Sequence, residues 1–213
     1  IELQFYLEER KKKKKKKKMK NPKAFLEHLI KGYNLELEIR GNPKVILYGK
    51  KQHYVYDSIE LNLIKGLNVG VVLHEDLVDS VFLGKENKFE HGDFYSVASP
   101  FKKQDIEIRV DAISIAKKKG FNIIGPDVFY SKYRGKGFLH FLTKILDSLF
   151  FWKEDIDRRE VHFVNMIKNN LNVSGVVVVV LGEFHVRSSS YVSKWLKKSK
   201  LDYAVIRLKE KNN

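Results

Sequence analysis

Four apolar runs in this chain of 213 residues each end in polar groups able to do chemistry. Gly49-Lys50-Lys51-Gln52-His53 follows Val45-Ile46-Leu47-Tyr48, and Glu75-Asp76 closes the run Val69 to His74. Asp127 follows Phe121-Asn122-Ile123-Ile124-Gly125 and Pro126, and Gly182-Glu183-Phe184-His185 follows Val176 to Leu181. Two imidazoles and several carboxylates gathered at one edge have two uses. Neutral imidazole nitrogen with carboxylate oxygen suits Zn²⁺, Mn²⁺ or Fe²⁺. The same groups without a metal form a general acid and base pair. Spacing alone leaves both open. The glycine ahead of each histidine is expected to let the backbone turn sharply and bring the ring back over the strand ends.

Those groups need a scaffold, and the hydropathy pattern supplies one. Val45–Tyr48, Val69–Leu73, Phe121–Ile124, Val176–Leu181 and Tyr203–Ile206 are short and apolar on both faces, as in buried parallel strands. Between them lie helical patterns: Pro22 to Tyr33, a stretch capped by Asp57 with Ile59, Leu63 and Ile64 inward, and Gln104 to Lys119, stopped by Gly120. Two more run from Phe138 to Leu149 and through Val161, Val164, Ile167 and Leu171, the first expected to be a buried helix. A last helix, capped by Ser188-Ser189-Ser190, carries Val192, Trp195 and Leu196. Gly84 to Pro100 reads as an irregular excursion. Alternation of strand and helix predicts an α/β fold of three layers, with a mostly parallel central sheet of about five strands and helices on both faces.

Open parallel sheets bind ligands beyond the carboxyl ends of their strands, where the four polar clusters fall. Successive strand residues face opposite ways, so His74 and Asp76 point away from Glu75. His74 is therefore expected to be a packed or hydrogen-bonded core residue. Arg158 and Arg159 could grip a substrate carboxylate or phosphate, or one of them could pair with Glu154 or Glu160. Arg134, in a loop with Tyr130 and Tyr133, could line the same edge.

Charge is unevenly spread. Residues 1–20 hold nine Lys and Arg10 against Glu2, Glu8 and Glu9, a net of +7 out of +15 for the chain. The run Lys11 to Lys18 is expected to be a solvated extension, with residues 21–213 a single α/β domain. Such a run could make weak contact with a polyanion or an anionic membrane surface. The chain has no cysteine, which excludes disulfides, thiol nucleophiles and Cys-based zinc sites. It shows no secretory leader pattern and no membrane-length apolar stretch, so a cytoplasmic-type setting, possible at a membrane periphery, is expected. It opens on Ile1 instead of Met, which leaves the native start open.

The ordered set of motifs resembles the TraB–TIKI and erythromycin-esterase/ChaN-like superfamily. Members carry two Gly-x-x(-x)-His elements, each after a core strand, and an acid after the second strand. Gly49 to His53 is similar to the longer first element, Glu75 to the acid and Gly182 to His185 to the second element. Ala116 to Asp127 resembles a helix, glycine, strand and Gly-x-Asp segment, and Arg158-Arg159-Glu160 with Asn165-Met166-Ile167 an Arg-rich helix. The likeness spans residues 43–208. It implies a metal-dependent hydrolase of a peptide, ester or amide bond, acting on a small molecule or a peptide. His53, Glu75, His185 and Asp127 would be metal ligands, His53, His185, Glu75 and Glu183 catalytic, and Arg158, Arg159 and Arg134 substrate-binding. Lys50 stands where the family often places Glu, so the alternative is a catalytically degenerate member that binds a small ligand or partner, or signals.

Overall fold

The computed structural model describes residues 21–50, 58–75, 81–91, 103–125 and 152–209. Helix α1, Pro22–Leu29, starts at Asn21, whose side chain accepts a hydrogen bond from the Lys23 amide at 3.0 Å. After a 3₁₀ turn come strands β1, Leu35–Arg40, and β2, Val45–Lys50, then helix α2, Ser58–Gly66. Next follow β3, Val69–His74, β4, Val81–Leu83, β5, Lys88–His91, helix α3, Lys103–Lys119, and β6, Asn122–Ile124. Helix α4, Trp152–Asn169, leads to β7, Val176–Gly182, a 3₁₀ turn at Glu183–Val186, helix α5, Tyr191–Lys198, and β8, Tyr203–Leu208.

The strands form one sheet in the order β1-β8-β2-β7-β3-β6-β4-β5. Its centre, β8-β2-β7-β3-β6, is parallel throughout and consists of the five strands read from the sequence. The expected sheet was too small, however, and too uniform. β1 adds to β8 antiparallel, and the β4–β5 hairpin adds to β6 antiparallel, giving eight strands in a mixed sheet. β1 alternates Leu35, Leu37, Ile39 with Glu36, Glu38, Arg40 and is only half covered, the mark of an antiparallel edge. β5 lies inside the stretch read as an irregular excursion, because Gly84 to Asn87 is a hairpin turn, with Asn87 at φ 52°.

Strand alternation sorts the core into two clusters. On one face Ile46, Tyr48, Val72, Val178 and Ile206 pack under Phe25 and Leu26 of α1, Leu63 of α2 and Ala116 of α3. On the other, Leu47, Val71, Leu73, Val179, Leu181 and Val205 pack under Phe163 and Ile167 of α4 and Val192 and Leu196 of α5. The three layers are therefore α1/α2/α3, sheet, and α4/α5. Gly120, at φ 74°, ends α3 as expected, and Ser190 caps α5 by accepting from the Ser193 amide at 3.1 Å. No helix among the described residues is long and apolar enough to cross a membrane. The Lys11–Lys18 run and the 138–149 helical pattern lie outside the described residues.

Candidate functional site

Glu75 is the first residue past β3, and its amide donates to the Val180 carbonyl at 2.9 Å, so the ladder with β7 carries it into the sheet edge. Alternation turns its side chain to the α4/α5 face. There Oε2 accepts from the Gly182 amide at 2.5 Å, and Oε1 accepts from Arg159 Nη2 at 2.6 Å. Beneath it Leu73, Phe163, Met166, Val179 and Leu181 leave no space the size of a water molecule. A dry floor of this kind strengthens every charge interaction above it.

His185 arrives from the other side of the same edge, on the 3₁₀ turn that follows β7. Its Nε2 lies 3.5 Å from Glu75 Oε1, and its Nδ1 lies 3.1 Å from Glu160 Oε1. The Phe163 ring stands edge-on to the imidazole, with centroids 5.4 Å apart. Glu160 is held in turn, because its Oε2 accepts from the Tyr191 amide at the start of α5. A chain of contacts thus runs Arg159–Glu75–His185–Glu160–Tyr191. Glu75, His185 and Glu160 are buried, while the Arg159 side chain is 26% exposed.

The charges set the protonation. Burial by itself would push Glu75 up, but the hydrogen bond and charge of His185, the Arg159 guanidinium and the Gly182 amide together hold it below the usual carboxylate value. Burial would likewise lower His185, yet Glu160 and Glu75, one at each ring nitrogen, hold it above the usual imidazole value. Arg159 opposes that rise, but more weakly.

The structure therefore brings Glu75, His185 and Arg159 together. The partner of Arg159 is Glu75, not Glu154 or Glu160. Glu183 opens the 3₁₀ turn, half-buried, and among the described residues it is bonded to neither His185 nor Glu75. His53, Asp127 and Arg134 lie outside the described residues, as does the side chain of Arg158. Glu160 is the participant that motif reading missed. It sits in phase with Phe163, Val164 and Ile167 on the inward stripe of α4, and a carboxylate in that phase is the available signal.

Two expectations about the glycines change. Gly182 is extended at φ −60°, ψ 149°, and Gly49 has no positive φ, so neither makes a left-handed turn. Gly49 is required for a different reason: a Cβ there would meet Val186 Cγ2 at 2.0 Å. The glycine lets the turn that carries His185 lie directly on β2.

His74 behaves as a core residue. On the α2 face its Nε2 lies 2.8 Å from Glu60 Oε1 and 3.5 Å from Lys50 Nζ, all three side chains being buried. Lys50 shares the face of Ile46 and Tyr48, so its ammonium joins His74 and Glu60 on the side of the sheet opposite Glu75.

The donor chemistry at Glu75 and His185 accommodates a metal. Two ligands of one tetrahedral ion, each about 2.1 Å from it, lie about 3.4 Å apart. The Oε1–Nε2 separation of 3.5 Å is close to that and long for a hydrogen bond. Glu160 on the far ring nitrogen is the outer partner that metal-bound imidazoles characteristically have. Among the described residues no third His, Cys, Asp or Glu completes a ligand set. No protein-family model, no curated protein and no solved structure matches the chain.

Proposed function

We propose that the edge formed by Glu75, His185, Arg159 and Glu160 is the reacting centre of a hydrolase that cleaves a peptide, ester or amide bond, of the TraB–TIKI and erythromycin-esterase/ChaN-like type. The observation that carries the reading is the placement of His185 between two buried carboxylates at the carboxyl ends of parallel strands. Glu160 fixes the ring through Nδ1, so that proton transfer takes place at Nε2. Glu75, held by the Gly182 amide, keeps a negative charge beside that nitrogen. Arg159, at the solvent side, orients the anionic end of a small-molecule or peptide substrate. His185 and Glu75 would hold a divalent ion (Zn²⁺, Mn²⁺ or Fe²⁺), with His53 and Asp127 as the further ligands. Bound there, it would polarise the scissile carbonyl and acidify a water. A cytoplasmic setting, with a weak polyanion or membrane-surface contact through Lys11–Lys18, belongs to the same proposal.

A second reading has its own observation. Both oxygens of Glu75 already have partners, Arg159 and Gly182, as in a structural ion network. That favours a degenerate member that binds or signals without catalysis. Hydrolysis of p-nitrophenyl acetate and of a casein peptide pool, with metal content measured in parallel, separates the two. The hydrolase reading expects His185→Ala and Glu75→Gln to lower turnover by about a hundredfold or more while far-UV circular dichroism is retained. Turnover indifferent to both substitutions, or none in the metal-loaded wild type, sinks it.

A further inference from the structure

We infer that Arg159 is an anion-operated latch on Glu75: a carboxylate-bearing ligand taken by the outer edge of its guanidinium loosens the inner contact and releases Glu75 to a divalent cation. The inference rests on the reading of Glu75 and His185 as the centre. A guanidinium carries five N–H donors in a planar fork. Among the described residues Arg159 donates only to Glu75, through Nη2 at 2.6 Å. Its side chain is 26% exposed and that of Glu75 is 3%, so the fork spans the boundary between the buried carboxylate and solvent. The outer donors match a planar carboxylate.

The geometry then couples two ligands. Oε2 of Glu75 is committed to the Gly182 amide. Oε1 is the oxygen that faces His185 Nε2, and it is also the oxygen Arg159 holds. A cation shared by Glu75 and His185 must compete with the guanidinium for that atom. An anion on the outer edge draws the guanidinium outward and offsets its charge, so anion and cation assist one another, by the same factor in each direction.

The test uses acetate as the carboxylate, acetamide as its neutral counterpart and Mn²⁺ as the cation. Acetate should produce a saturable shift of the His185 imidazole resonances, assigned by difference from His185→Ala, and acetamide should not. Arg159→Gln should abolish the shift, and Arg159→Lys, which keeps the charge without the fork, should weaken it. By calorimetry, acetate should tighten Mn²⁺ binding to the wild type about tenfold, within the usual span of coupling between sites. Arg159→Gln should bind Mn²⁺ more tightly than the wild type in the absence of acetate and gain nothing from it. Imidazole resonances indifferent to acetate overturn the latch, and so does acetate coupling that survives in Arg159→Gln, since acetate would then sit on the cation. An Arg159-dependent acetate shift in a protein that binds no Mn²⁺ supports the latch and removes the metal from the proposed function. Mn²⁺ binding lost in Glu75→Gln but indifferent to acetate has the opposite meaning.

Discussion

Glu160 Oε1 lies 3.1 Å from His185 Nδ1, and this contact ties α4 to the turn after β7 across 25 residues of sequence. It decides which ring nitrogen faces Glu75. It also joins α4, the turn and α5, because the second oxygen of Glu160 holds the Tyr191 amide.

Glu160→Gln should lower the His185 imidazole pKa, since it removes the first-named support for the protonated ring, and NMR titration of the ring reads this directly. If His185 holds a cation, the same substitution should weaken binding about 10–100-fold. Glu160→Ala should cost about 2–4 kcal/mol of stability by urea unfolding, because both the ring and the Tyr191 amide lose their acceptor. An unmoved imidazole pKa in Glu160→Gln refutes the orienting role.

Stability should depend on pH in opposite senses through the two ends of the pair. His185 is raised, so its contribution is complete below its unfolded value near 6.5 and is lost as pH rises through the higher folded value. Glu75 is lowered, so its contribution is present above 4.5 and lost as pH falls through the lower folded value. Unfolding at pH 5.5 and pH 9 should therefore show a larger penalty for His185→Gln at the lower pH. Equal penalties at both would contradict the raised value.

Lys50→Glu should not create a cation site at Glu75 and His185, although the family likeness suggests a restored ligand there. Lys50 lies on the α2 face with His74 and Glu60, and a second carboxylate would meet Glu60 in a buried place. The expected result is a loss of about 3 kcal/mol or more in urea unfolding, without gained affinity for Mn²⁺. A stable variant with tighter Mn²⁺ binding would overturn this placement.

Gly49→Ala should destabilise by about 1–3 kcal/mol, since the new methyl overlaps Val186. Val186→Ala costs stability through its own cavity, yet the double variant should recover part of the Gly49→Ala loss. A double-mutant cycle that is strictly additive would show that the two residues do not touch.

Local pattern carried much of this protein. The parallel strands are legible because each is apolar on both faces, and the stops at Gly120 and Ser190 because each has a local backbone cause. Alternation alone placed His74 in the core and turned Glu75 the other way. The edge strands escaped because β1, half charged, gains its place only by pairing with β8 from the far end of the chain, and β4 and β5 only by joining β6.

Glu160 shows where sequence reading ends. Its inward phase on α4 is written in the periodicity, but its partner is chosen by how α4 packs across β7. Gly49 is similar, for its need comes from Val186, 137 positions later, and not from its own backbone angles. Residue types and spacing determine which groups can ionise and which strand ends they leave from, because those are short-range properties. Which of them meet, on which face of the sheet, and with what proton affinity depends on packing between distant segments, and only the tertiary structure decides it.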